Sequence, residues 1–153
     1  MYDVKPVTTA HETACGPACL KMMLGFYGQD VDLETLIREC GTKITGSTAK
    51  DLMVAGRKYG LDLRAFKMDA EEICKQDRPA IILWKLVHFC VFCGVDNEDN
   101  VWICNPGSGR FSMPTSTFER FFSKLCLFNG DPDEMFSDDY FGENPEEPDY
   151  FND

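Results

Sequence analysis

Three residues of the kinds that together break acyl bonds stand in this sequence: Cys15, His88 and Asn105. Cys15 follows a turn at Thr13-Ala14 and opens an apolar helical run, Cys15-Gly16-Pro17-Ala18-Cys19-Leu20, that continues to a stop at Gly28. Cys15, Cys19, Met22 and Phe26 recur at helical spacing and share one face. Cys15 therefore sits at a helix N-terminus, where unpaired N–H groups and the helix dipole favour thiolate over thiol. Pro17 fits the first turn, because its missing N–H has no intrahelical partner to lose. A nucleophilic thiol needs an imidazole to take its proton, and the chain has two histidines. His88 opens an apolar strand. Asn105 ends the following strand, where it can orient the ring and fix its tautomer.

Each of these residues also has a plainer reading. A cysteine at the start of a core helix is commonly a small buried hydrophobe. A histidine among apolar neighbours is commonly a satisfied core or surface residue. Asn105 before Pro106 is also an ordinary turn starter. A hairpin within 96–100 would return residue 105 beside residues 88–92, in a register the sequence leaves open. Metal chemistry has little support. Cys90 and Cys93 form a CxxC within a strand, where odd spacing sends the two thiols to opposite faces, and no second ligand pair of zinc spacing follows.

The elements that must position these residues fall into two parts. Helices come first. The Cys15 helix is followed by a second over 32–41, capped by Asp30 or Asp32, with Leu33, Leu36, Ile37 and Cys40 as its inner stripe and Gly41 as its stop. After a loop at 42–46, Ser47 caps a third, with Ala49, Leu52, Gly56 and Tyr59 on one face and Gly60 as its stop. The period then changes to two. Strands are expected over 61–67, 79–86 (a nearly continuous apolar run, hence central), 88–95, 101–104, 110–113 and 124–128, with short helices over 69–75 and 115–122. Helices followed by mostly antiparallel strands read as an α+β fold, a helical lobe packed on a sheet.

The 153 residues suit one domain, over 1–130, with a tail over 131–153. The net charge of −11 belongs mainly to the tail, which carries ten acidic and no basic residues. Residues 1–130 hold 15 basic and 16 acidic side chains, with no basic stripe, so nucleic acid is not an expected partner. The tail reads as disordered, with Phe136, Tyr140, Phe141, Tyr150 and Phe151 as docking points if it has any. No signal peptide and no apolar run of membrane-spanning length is present, and eight cysteines without a secretory context suggest reduced thiols in the cytoplasm.

Taken in order, Cys15-Gly16-Pro17-Ala18-Cys19-Leu20, Gly46-Ser47-Thr48, Arg57-Lys58-Tyr59-Gly60-Leu61, Pro79-Ala80-Ile81 with Trp84, His88-Phe89 and Asn105-Pro106-Gly107-Ser108-Gly109 resemble the double-glycine, bacteriocin-processing cysteine peptidases. The resemblance covers roughly residues 5–128. It implies a papain-like fold, cleavage of the leader of a ribosomally made precursor peptide after a double-glycine-type pair, and no cofactor. By the same resemblance Cys15 is the nucleophile, His88 the general base and acid, and Asn105, in the place of a usual Asp, the orienting group. The family's oxyanion-hole Gln, six residues before the cysteine, is replaced here by Thr9. The Cys15 backbone N–H with Thr9, or with His11 from a shifted lead-in, would complete the hole. The family often forms the N-terminal domain of a peptide-exporting ABC transporter, so an exporter is an expected partner and the inner face of the membrane an expected location. A leader would dock as an amphipathic helix in an apolar groove, for which Trp84 and exposed Leu36 and Met53 are the residues put forward. The alternative is a domain of the same fold that binds leaders, or regulates an exporter, without cleaving; the missing Gln favours it.

Overall fold

The computed structural model describes residues 1–41 and 46–130. The expected tail, and the expected loop except for Gly46, lie outside the described residues. A short 3₁₀ turn, Glu12–Ala14, leads into α1, Cys15–Phe26. This helix is buried on nearly every side, from Cys15 to Leu20 and from Met22 to Leu24, as expected of a helix apolar around its whole circumference. Gly28 ends it in the left-handed region at φ +91°, and the Gln29 N–H returns to Leu24 O at 2.8 Å.

Two further helices pack beside α1. In α2, Leu33–Glu39, the cap is Asp32, which accepts from the Thr35 N–H, while Asp30 pairs with Lys21 instead. The cap of α3, Ala49–Arg57, is Thr48 rather than Ser47. Thr48 Oγ1 accepts from Asp51 N at 3.1 Å, and Asp51 Oδ2 accepts from Thr48 N at 2.8 Å. This reciprocal box satisfies two unpaired donors. Ser47 cannot build it, because the residue three positions on is Lys50.

The remaining elements are β1 (Leu63–Lys67), α4 (Ala70–Cys74), β2 (Ala80–Trp84), β3 (His88–Val95), β4 (Asn100–Asn105), β5 (Gly109–Pro114), α5 (Thr115–Phe121) and β6 (Phe122–Asn129). The described strands form one sheet in the order β1-β6-β2-β3-β4-β5, with neighbouring strands antiparallel. The α+β expectation holds. The sheet is covered on both faces, however. Leu63, Ile81, Val91, Cys104 and Leu127 pack with α1–α3, while Phe66, Ile82, Phe92, Ile103 and Phe128 pack with Ile73 of α4 and Phe118 of α5. Burial on both faces explains why β2 reads as an unbroken apolar run.

That run ends earlier than expected. Lys85 and Leu86 form a two-residue turn at φ +54° and +69°, closed by the Val87 N–H on Trp84 O. Leu86 and Val87 are 76% and 84% exposed. Such turns favour Asn-Gly, so Lys-Leu carries no turn signal in the sequence. Leu36 and Met53 are also corrected: they are 0% and 1% exposed and belong to the core under α1–α3, not to a surface groove.

Candidate active site

The sheet brings the separated residues together at one end. The β3–β4 hairpin turns on Asp96, whose carboxylate accepts from the N–H groups of Glu98 and Asn100 and from Trp102 Nε1. Beyond it Cys104 pairs with Val91, so Asn105 arrives beside Cys90, two residues past His88. The register left open by the sequence is thereby fixed.

The geometry assigns the proton positions. Asn105 Oδ1 lies 2.9 Å from His88 Nε2 and also accepts from the Gly107 N–H at 2.8 Å. A backbone N–H can only donate, so the atom it meets must be the amide oxygen. Nε2 must then carry a proton and donate to that oxygen. This leaves Nδ1 as the ring nitrogen for the two thiols that also bond the imidazole, Cys15 first and then Cys90. Cys15 is 9% exposed, at the first position of α1. Burial pushes its thiol up, but hydrogen bonds from His88 and from the backbone N–H groups of Phe89 and Gly16 outweigh this and hold it below the ordinary thiol value. His88 moves the other way. Its hydrogen bonds to Cys15, then to Cys90, and in smaller part to Asn105 outweigh burial and push it up to about 11. Both shifts favour a thiolate facing an imidazolium over the neutral pair. Cys19 and Cys40, also buried but without such partners, are pushed upward.

Above the pair lies a cleft of about 360 Å³, lined among others by Thr9, His11, Cys15, His88, Asn105 and Ser108. The lead-in forms one wall and is pinned to the other by Thr9 N–H on Pro106 O at 2.8 Å. Thr9 Oγ1 accepts from the His11 N–H at 3.2 Å, which leaves the hydroxyl proton to donate elsewhere. A larger hollow of about 570 Å³ lies along the C-terminal half of α1, against Lys5, Val7, Lys21 and Phe26; none of the three candidate catalytic residues lines it. The thiol and the imidazole share the smaller cleft, which makes it the candidate site.

Of the residues put forward from the sequence, Cys15, His88, Asn105 and Thr9 share this cleft. Trp84 does not line it; it is buried on the opposite face, against Phe118 and Phe121. Gly107, whose N–H orients Asn105, and Cys90, which bonds His88, were not foreseen. The Asn-Pro-Gly turn and the alternate position after His88 were the available signals. Among the described residues no group of three metal-ligating side chains gathers, and no helix is long and apolar enough to cross a membrane.

Comparison with known proteins decides the family: the model of the peptidase C39 family matches residues 3–134. The chain belongs to that family. This peptidase C39 chain is 29% identical over 123 residues to the probable microcin-H47 secretion/processing ATP-binding protein MchF of Escherichia coli, covering 80% of the chain and 18% of that protein. It is 28% identical over 123 residues to the lactococcin-G-processing and transport ATP-binding protein LagD of Lactococcus lactis subsp. lactis, covering 76% and 17%. The chain thus spans less than a fifth of these relatives. Among solved structures, a double glycine motif protease from an AMS/PCAT transporter, in complex with its leader peptide, superimposes with a TM-score of 0.78 at 31% identity, covering 82% of this chain and 90% of that one. The papain-like C39 fold expected from the sequence is therefore the fold of this chain.

Proposed function

We propose that this C39 domain is a cysteine endopeptidase that removes the leader of a ribosomally made precursor peptide after a double-glycine-type pair. The carrying observation is the ordered line Gly107 N–H, Asn105 Oδ1, His88 and Cys15 beside an open cleft. The Cys15 thiolate attacks the carbonyl carbon of the scissile bond. The developing oxyanion is met by the Thr9 hydroxyl; the Cys15 backbone N–H donates to Glu12 O in the 3₁₀ turn and must turn from it to join. The His88 imidazolium gives its proton to the departing amine, leaving a thioester on Cys15. Imidazole then takes a proton from water, which attacks the thioester and releases the leader. Asn105 keeps the ring in place through both steps.

The likeness to a protease solved with its leader peptide supports a leader as substrate, and the transporter relatives support an exporter as partner at the cytoplasmic face of a membrane. Thr9, in the place of a Gln, supports a second reading in which the domain holds a leader without cutting it. A synthetic peptide with an amphipathic helical leader and a Gly-Gly junction separates the two, with Cys15→Ser and a Val-Val junction as controls. Mass spectrometry of a single cut after Gly-Gly, lost in both controls, supports the peptidase. Saturable binding with no cut on prolonged incubation supports the second reading.

A further inference from the structure

One residue before Asn105, β4 carries a thiol that peptide cleavage does not use. Cys104 Sγ lies 3.4 Å from Cys93 Sγ on β3, and both residues are fully buried. Arg110 stands beside them. Its Nη2 donates to Val4 O at 2.8 Å, and its buried Nε has no hydrogen-bond partner. An unanswered buried guanidinium N–H is costly, and negative charge on the Cys104 sulfur would answer it. A hydrogen bond from Cys93 and the nearby Arg110 charge outweigh burial and lower the Cys104 pKa, while the Cys93 thiol is held in its protonated form. The lead-in covers the pair, through Tyr2 N–H on Cys93 O at 2.7 Å and through Val4 O, which also faces Cys104 Sγ at 3.9 Å.

We propose that Cys93 and Cys104 are a latent disulfide, a two-electron redox site built behind the cleft and closed by a hydroperoxide. The Cys104 thiolate attacks one peroxide oxygen. The O–O bond breaks, and the leaving hydroxide takes up a proton to become water. The Cys93 sulfur then attacks the sulfenic sulfur of Cys104. The S–O bond breaks, and hydroxide leaves with the Cys93 proton as a second water. The two thiols lose two electrons, and hydrogen peroxide is reduced to two waters. The sulfurs have to close from 3.4 Å to about 2.05 Å. Bond formation removes the charge that Arg110 faces. Because Arg110 also holds Val4, and Cys104 precedes Asn105, the switch acts on both walls of the cleft: the lead-in that carries Thr9 and the strand that carries Asn105. The inference stands without the peptidase reading.

The test uses the full chain with Cys15→Ala, so that the cleft thiol does not consume oxidant. After hydrogen peroxide at neutral pH, free thiols are blocked with N-ethylmaleimide. The protein is digested with trypsin and an endoproteinase specific for acidic residues, which cuts between residues 93 and 104 at Glu98. The expected product is a cross-linked pair of peptides, two hydrogens lighter than the reduced pair and separated by dithiothreitol, in which fragmentation by tandem mass spectrometry places the link on Cys93 and Cys104 and a maleimide on Cys90 of the same peptide. Arg110→Gln should slow its formation about tenfold, through the lost thiolate. Recovery of both cysteines as maleimide adducts after unfolding overturns the proposal, as does a separate sulfinic acid on either without a link, or a link from Cys104 to Cys90. In Cys93→Ala, dimedone should trap the stranded Cys104 sulfenic acid. If that variant does not fold, the parent map and the Arg110→Gln rate still decide.

Discussion

Asn105 decides where the imidazole proton sits because its Oδ1 already accepts the Gly107 N–H. From this follows the direction of the pH response. The thiolate is the deprotonated form of Cys15, and His88 favours it, so iodoacetamide alkylation of Cys15 should rise with pH through a midpoint below the ordinary thiol value. In His88→Ala only the Phe89 and Gly16 N–H groups still oppose burial, so the midpoint should rise from its value in the parent; peptide-mapped rates against pH read both. Cleavage should also fall at high pH, as His88, raised to about 11, loses the proton that the leaving amine needs. Thr9 belongs to the same scale. Its Oγ1 accepts the exposed His11 N–H, so Thr9→Val removes the hydroxyl donor and leaves that N–H to water. It should lower kcat by about 10²-fold with little change in KM, as measured on the Gly-Gly peptide.

At the scale of elements, what holds Cys15 is the contact between α1 and α3. A Cβ on Gly16 would lie 3.1 Å from Leu52 Cδ2 and 3.2 Å from Ser47 Cβ. Gly16→Ala should therefore lower stability by about 1–3 kcal/mol through overpacking, partly offset by about 1 kcal/mol of helix propensity, read from denaturant midpoints. Because the strain falls on the first turn, Cys15 alkylation should slow in the same variant. Element identity was legible where the signal is local. Asp69 with Glu72 and Thr48 with Asp51 form capping boxes written in the sequence, though the rule picks Thr48 over Ser47 only once the partner three residues on is checked. The Lys85–Leu86 turn was not legible, because two non-glycine residues are held in the left-handed region by the β2–β3 ladder around them.

At the scale of the molecule, the sheet is a middle layer. Leu36 and Met53 hold α2 and α3 to the core on one face, and Trp84 holds α5 on the other. Leu36→Ala or Met53→Ala should cost about 2–5 kcal/mol of stability, read from thermal or denaturant unfolding. Leader affinity of the protein that remains folded should be unchanged, which titration with a labelled leader peptide checks. A selective loss of leader affinity without loss of stability would return these residues to the substrate surface.

The sequence by itself determined the local facts. Cys15 at a helix start, His88 opening a strand, Asn105 before a turn and the change of period from helices to strands all rest on neighbours within a few residues. Only the tertiary structure decided what depends on distant chain. The β3–β4 register sets Asn105 beside His88; the packing of α4 and α5 buries the second face of the sheet; and Cys90 and Cys93, whose alternation sends them to opposite faces, meet His88 and Cys104. A side-chain period fixes which way a residue faces within its own strand. Which partner it finds there is set by how the layers close, and that information is spread over the whole core.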